Sequence, residues 1–342
     1  MTRETLAVVD WVTALKAAAE PTRLRLLVLL AANEFNVKDL TLILGQSQPR
    51  LSRHLKLLSE AGLVERYREG SWVYFHLSDR SPIQRRVKEL LGAVDPADAI
   101  VLRDCERASA LKRERESTAQ AFFRAHAGDW DRIRALHVSE TEVESAMRTA
   151  LGDGPFRLFI DLGTGTGRIL ELFDGSYERG LGIDVNQAML THARSKLSAG
   201  GLYRAQVRHG DIYNLGFGDG TVSVVTMHQV LHFLSDPRRA VMEAARVLEP
   251  GGKLLIVDFA PHELEFLRET QAHDRLGFSA AIVGEWLEEA GLEPRLARDL
   301  KPAAATANAA GKLTVSIWLA ERPRVTTSPQ PTRTEARIEG TR

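Results

Sequence analysis

The chain has a single cysteine in 342 residues, Cys105. That rules out an intrachain disulfide and any multi-cysteine zinc site. Ten histidines are scattered, with no H-E-x-x-H or comparable ligand pair, so no metal is expected. No apolar run reaches the ~18 residues of a membrane span. The opening Met1-Thr2-Arg3-Glu4 has no secretory apolar region, so the expected location is cytoplasmic, with no membrane partner. Excess charge of one sign is also missing: 45 Lys and Arg stand against 45 Asp and Glu. Residues 1–80 hold 11 basic and 9 acidic side chains, and residues 151–320 hold 17 and 21. A nucleic-acid partner therefore has to be argued from local pattern, not net charge.

What is present begins at Phe159-Ile160-Asp161-Leu162-Gly163-Thr164-Gly165-Thr166-Gly167. The apolar run reads as a buried strand, the glycines as a tight loop, and a helix should start near Arg168. Glycine lets the backbone approach a ligand closely, and a helix start adds unpaired N–H groups. Asp184, at the end of the next apolar run, stands where an acceptor for ribose hydroxyls belongs in such an architecture. A nucleoside-bearing ligand follows. A dinucleotide G-x-G-x-x-G would need glycine where Arg168 stands, and a phosphate loop would also need lysine at Ile169.

The pattern D-x-G-x-G-x-G from Asp161 to Gly167 resembles motif I of class I S-adenosylmethionine (SAM) methyltransferases. The resemblance extends over roughly residues 120 to 320. It implies that Asp161, Gly163, Thr164, Gly165 and Gly167 wrap the methionine part of SAM or of its product, S-adenosylhomocysteine (SAH). It gives Asp184 the ribose hydroxyls, places Val185 and Met189 near the adenine, and assigns Asp211 and Ile212 the adenine edge and ring. Val222 to His228 reads as the fourth strand, and Glu249-Pro250-Gly251-Gly252 as a turn into Lys253 to Asp258. Leu287 to Leu292 reads as a closing helix and Lys312 to Ala320 as a final strand. Short loops between alternating strands and helices imply a Rossmann-like doubly wound α/β sheet over 151–320.

The front of the chain follows another pattern. Leu24 to Leu30 is an apolar helical stretch, and Val37 to Leu40 starts a short helix that Gly45 should stop. Ser47 can cap the next helix, Gln48 to Ala61, with Leu51, Leu55 and Leu58 on one face. Val64 to Arg68 and Trp72 to Leu77 form a hairpin across Glu69-Gly70. Tyr67, Trp72, Tyr74 and Phe75 are expected as core and hairpin pairs. Ala19 to Leu27, Ser47-Gln48-Pro49, Ser52-Arg53-His54-Leu55 and Glu60 to Val64 closely resemble the ArsR-type winged helix, an α+β unit over 1–80 that reads operator DNA. The resemblance makes Gln48, Arg50, Ser52 and Arg53 base-side residues, His54 a further DNA contact on the same helix, and Arg66 and Arg68 the wing's phosphate contacts.

One departure matters. Metal-sensing members carry E-x-C-V-C-D-L before the recognition helix, and here the aligned stretch is Glu34-Phe35-Asn36-Val37-Lys38-Asp39-Leu40. An amide and an ammonium replace both thiolates, so soft-metal sensing at this site is excluded.

Residues 81–150 form a helical connector, with one helix from Pro82 and a longer one from Asp95-Pro96 to about Ala125. These helices could pair two subunits into a homodimer. Ala127 to Met147, with Trp130, resembles helices that cover the cofactor in many methyltransferases. Residues 321–342 are polar and Pro-rich, and disorder is expected.

Two functions fit. One is an ArsR-type regulator whose methyltransferase-fold domain binds SAM or SAH and controls methyl-cycle (methionine/SAM) genes. The other is a working small-molecule methyltransferase that regulates its own operon. DNA methylation is disfavoured: Met227-His228-Gln229-Val230 stands where an [ND]-P-P-[YF] clamp would be, and no cysteine lies in this domain. For the enzyme, His228 is the candidate base and His232 stands behind it. Cofactor packing is the alternative for His228, and a helix surface the alternative for His232.

Overall fold

The computed structural model describes residues 5–77, 81–131, 140–301 and 313–324. The Pro-rich stretch 326–332 and the start of the expected last strand at Lys312 lie outside the described residues, as does part of the segment 127–147.

The front half opens with α1 (Val8–Ala18), α2 (Pro21–Ala32), the short β1 (Phe35–Asn36), α3 (Val37–Leu44) and α4 (Gln48–Glu60). Gly45 ends α3 in the left-handed region at φ 67°, a conformation open to glycine at no steric cost. Asn36, where a metal-sensing member has its first thiolate, caps α3 by accepting a hydrogen bond from Asp39 N at 2.9 Å. On α4 the three leucines at positions 51, 55 and 58 are fully buried, each contributing about 2 kcal/mol. Leu63 N and Gly62 N close the helix by bonding back to Leu58 and Ser59 carbonyls.

The wing follows as β2 (Glu65–Glu69) and β3 (Trp72–His76), antiparallel, with β1 added on the far side of β3. Tyr67 and Tyr74 stack at 5.6 Å. The connector holds α5 (Pro82–Leu91) and the 28-residue α6 (Ala99–His126), which Asp98 caps. α6 starts four residues later than Asp95 because that aspartate makes a local turn with Ala97 N instead.

The back half runs α7 (Glu140–Leu151), β4 (Phe156–Leu162), α8 (Arg168–Leu172), β5 (Tyr177–Asp184), α9 (Gln187–Ala199), β6 (Ala205–His209), β7 (Val222–His228), α10 (Pro237–Val247), β8 (Leu248–Phe259), α11 (Phe266–Thr270), α12 (Ala280–Glu289), β9 (Glu293–Leu300) and β10 (Val315–Glu321). Seven strands lie in the order β6-β5-β4-β7-β8-β10-β9. The first five are parallel, and β10 enters antiparallel to both neighbours. Strand order reverses between β4 and β7, the switch point at which such sheets bind ligands. The fold is α/β behind a winged helix.

Glu249-Pro250-Gly251-Gly252, expected as a turn, is a bulge inside β8: pairing with β7 jumps from Val222–Leu248 to Val224–Lys253. The closing helix also sits earlier than expected, because Gly291 takes φ 74° and stops it. Separate apolar clusters fill the two sheet faces, and a third fills the winged helix and reaches Ala108 and Leu111 on α6.

Candidate functional site

Three backbone turns at the switch point build one cavity of about 370 Å³, within the 300–1,000 Å³ typical of ligand pockets. Gly163, Gly165 and Gly167 all have positive φ, at 69°, 52° and 80°. At Gly163 a Cβ would also strike the Val230 side chain, so glycine is required there twice over. β4 ends at Asp161 and Leu162, and Thr226 on β7 donates to Asp161 Oδ1 at 2.7 Å.

Asp184 ends β5 and faces the same cavity. It accepts hydrogen bonds from Gly165 N at 2.9 Å and Asn186 N at 2.8 Å, which fixes its orientation relative to the glycine loop. Burial pushes its carboxyl above the ordinary aspartate range, against the lowering effect of those N–H groups. Two of its roughly four lone-pair sites are used by the backbone. Val185 N also approaches the carboxylate, and the acceptor capacity left over suits the hydroxyls of a ribose.

Asp161, Gly163, Thr164, Gly165, Asp184, Val185, Met189, Asp211, Ile212 and His228 all line this cavity. Gly167 does not; it is the left-handed residue that starts α8. His228 is half-buried at the end of β7. His232 lies away from the cavity and off the surface. It is 2% exposed, with Nδ1 2.7 Å from Asp258 Oδ1, so a surface position does not hold for it.

Sequence reasoning named Trp130 as part of the cofactor's cover and missed the rest of the wall opposite the sheet. Glu116, Gln120 and Phe123 reach in from α6, joined by Trp130 and by Val230, Phe233 and Leu234 from the turn after β7. Phe123 packs edge-on to both Trp130 and Phe233, at 5.1 and 4.7 Å. Asn186 Nδ2 donates to Gln120 Oε1 at 2.9 Å, tying the Asp184 loop to α6. The signal available was the apolar Ala119 and Phe122-Phe123 inside an otherwise charged helix. The expectation that helices after Ala127 cover the cofactor falls partly on residues 132–139, outside the described ones.

On α4, Gln48, Arg50, Ser52, Arg53 and Lys56 are exposed together. His54 turns back instead, with Nδ1 3.6 Å from Glu20 Oε2. Arg66 and Arg68 are exposed on one face of the wing, and Tyr67 and Glu69 point to the other. Among the described residues no group of three or more His, Cys, Asp and Glu side chains is placed to hold a metal, and no helix is long and apolar enough to cross a membrane.

Comparison with known proteins agrees with both halves. Residues 20–66 match the family of bacterial regulatory proteins described as arsR, and residues 160–256 match a methyltransferase domain. An HTH-type transcriptional regulator of Methanocaldococcus jannaschii is 40% identical over 81 residues, 23% of this chain and 85% of that one. The arsenical resistance operon repressor of Escherichia coli is 46% identical over 68 residues, 20% of this chain and 58% of that one. A protein of Mycolicibacterium smegmatis described as a probable S-adenosylmethionine-dependent methyltransferase is 33% identical over 139 residues, 39% of this chain and 51% of that one. The chain spans 33% to 51% of the length of the first curated relatives it matches. With a winged helix of this sequence and a methyltransferase sheet behind it, the chain belongs to the arsR family of regulators, fused to a methyltransferase domain.

Proposed function

We propose that this protein is a cytoplasmic, homodimeric transcriptional regulator that binds operator DNA through α4 and the wing, and binds SAM or SAH in the cavity, so that methyl-cycle (methionine/SAM) genes follow the state of the methyl donor. One observation carries this reading: α6 contributes to the winged-helix core at Ala108 and to the cavity wall at Glu116, Gln120 and Phe123. A helix shared in this way lets occupancy at one end bias the other, provided the ligand binds the two states with different affinity.

In this reading the glycine loop holds the methionine part, Asp184 accepts both ribose hydroxyls, and Met189 and Ile212 flank the adenine with Asp211 at its edge. The dimer would use α1 in place of the connector helices expected from the sequence, because Val8, Val12 and Leu15 repeat there at helical spacing and are 79%, 42% and 50% exposed. The test is to titrate SAM and SAH separately while following binding to the protein's own promoter DNA. A shift in DNA affinity with either ligand is expected, and no shift with either refutes the sensor.

The enzyme reading keeps one point in its favour. Glu116, His228 and Tyr213 add polar groups to the cavity beyond what a ribose needs. SAM would supply an electrophilic methyl group on its sulfonium, and His228 would take the acceptor's proton. Single-turnover release of methyl to small nucleophiles tests this, and a zero rate with bound SAM refutes it.

A further inference from the structure

The wing has two faces. Arg66 and Arg68 point away from the protein, whereas Tyr67 and Glu69 point into the methyltransferase domain. Glu69 Oε1 accepts from Arg268 Nη2 at 2.7 Å and from Leu276 N at 2.8 Å. Tyr67 accepts from Arg275 Nη1 at 2.7 Å and donates to Glu34 at 2.5 Å. The two guanidinium groups also stack on the wing, Arg275 over Tyr74 at 4.1 Å and Arg268 over Trp72 at 3.9 Å. At the tip, Ser71 N donates to Glu265 Oε1 at 2.7 Å.

Arg275 connects this cluster to the cavity. Its backbone N, and that of Asp274, donate to the His232 carbonyl at 3.0 and 2.9 Å. His232 sits in the turn whose Val230, Phe233 and Leu234 wall the cavity. A second connection runs along α6. Arg115, next to the cavity residue Glu116, pairs with Asp39 at 2.5 Å and with Asp274 at 3.3 Å. Two turns earlier, Arg107 donates to the Ile43 carbonyl at 3.1 Å. The two contacts on α3 lie four residues, about one turn, apart. α6 therefore holds α3, the helix that precedes the recognition helix, at two successive turns.

Glu34 and Asp39 belong to the stretch aligned with the metal box of metal-sensing members. Packing alone would favour apolar side chains here, because burying ion pairs costs desolvation that their attraction only partly returns. Interlocking charges instead define discrete arrangements that a small displacement can exchange.

We infer that Glu34, Asp39 and the inner face of the wing form the input site of the DNA-binding domain, and that its partner is the ligand-binding domain of the same chain, engaged through Arg115 and Arg275. The inference rests on the ligand-responsive reading of function. Ligand in the cavity shifts the turn at His232 and the adjoining part of α6. Arg275 and Arg115 carry that shift to the wing and to α3.

The test uses the full chain, SAH as ligand and the protein's own promoter fragment. The variants are Tyr67→Phe, which removes a single hydroxyl, and the pair Arg115→Met with Asp39→Asn, which removes the Arg115–Asp39 ion pair and the Arg115 contact to Asp274 together. None of these residues lines the cavity. Calorimetry should give SAH dissociation constants within threefold of the parent. The ligand-induced change in DNA affinity, five-fold or more for a working coupling, should fall to less than twofold in the pair and be reduced in Tyr67→Phe. In the parent, SAH should change amide hydrogen exchange in residues 65–76. A responsive parent whose variants respond equally overturns the inference alone, as does loss of SAH binding in folded variants. A parent that binds SAH with no effect on DNA overturns the functional reading, and this inference with it.

Discussion

Asp184→Ala tests the cavity most directly. The carboxylate uses one bond on Gly165 N and one on Asn186 N, leaving acceptor capacity for a diol. Hydrogen bonds to an ionised group contribute about 1.5–3 kcal/mol each. Loss of two gives roughly 3 kcal/mol even at the lower end of that range, close to a 100-fold rise in Kd at about 1.4 kcal/mol per decade. The fold should tolerate the change. The two lost loop bonds, also made to the carboxylate, cost about 1.5–3 kcal/mol each, offset in part because the variant removes a carboxylate that burial already disfavours. Calorimetric titration with SAH, which has no methyl group to lose, measures the effect, and a melting curve within about 5 °C of the parent controls for folding. Asp184→Asn, which keeps one acceptor oxygen, should fall between the two. A Kd within threefold of the parent in a folded Asp184→Ala protein would refute the assignment.

Three further outcomes are expected. Because burial raises the Asp184 carboxyl above its ordinary value, its protonated form persists to higher pH. SAH affinity is then complete above that raised value and falls as pH drops through it, and Asp184→Asn flattens the profile; an affinity constant down to acid unfolding contradicts this. Arg53→Ala should weaken operator binding about ten-fold or more and, if the contact is to phosphate, reduce the salt slope by about one; unchanged affinity and slope count against the exposed face of α4. Val12→Glu should turn the dimer into a monomer in sedimentation velocity, because it places a charge in the α1 stripe; a dimer of unchanged stability rejects that interface.

Much of the fold was legible from local pattern. β7 falls on Val222–His228 as its β-branched run requires, and α4 ends one residue before the expected Ala61. Capping chemistry and periodicity are short-range, so sequence carries them well. The bulge in β8 was not legible, because Pro-Gly-Gly reads as a turn wherever it occurs. The ligand-facing loops were also readable, since the glycine spacing and Asp184 each have a chemical reason. The opposite wall was not. Gln120 and Phe123 lie about 40 residues before the glycine loop, and nothing periodic in α6 marks the side that meets the sheet. The pairing of Glu69 with Arg268 and Arg275 spans some 200 residues. Tyr67 and Tyr74 do form the expected hairpin pair, yet Arg275 of the other domain also stacks on the Tyr74 ring and donates to the Tyr67 hydroxyl.

α6 has a consequence for how this protein can be handled and how it melts. Asp104 on this helix holds Arg25 of α2 at 2.5 Å, and some sixteen residues further on its side chains wall the cavity. Cutting the chain within it leaves one half without part of its core and the other without part of its binding site. The two halves should therefore resist separation by limited proteolysis and melt as one unit. Saturating the cavity should then stabilise the DNA-reading half as well, by RT ln(1 + [L]/Kd), and raise its melting temperature with it.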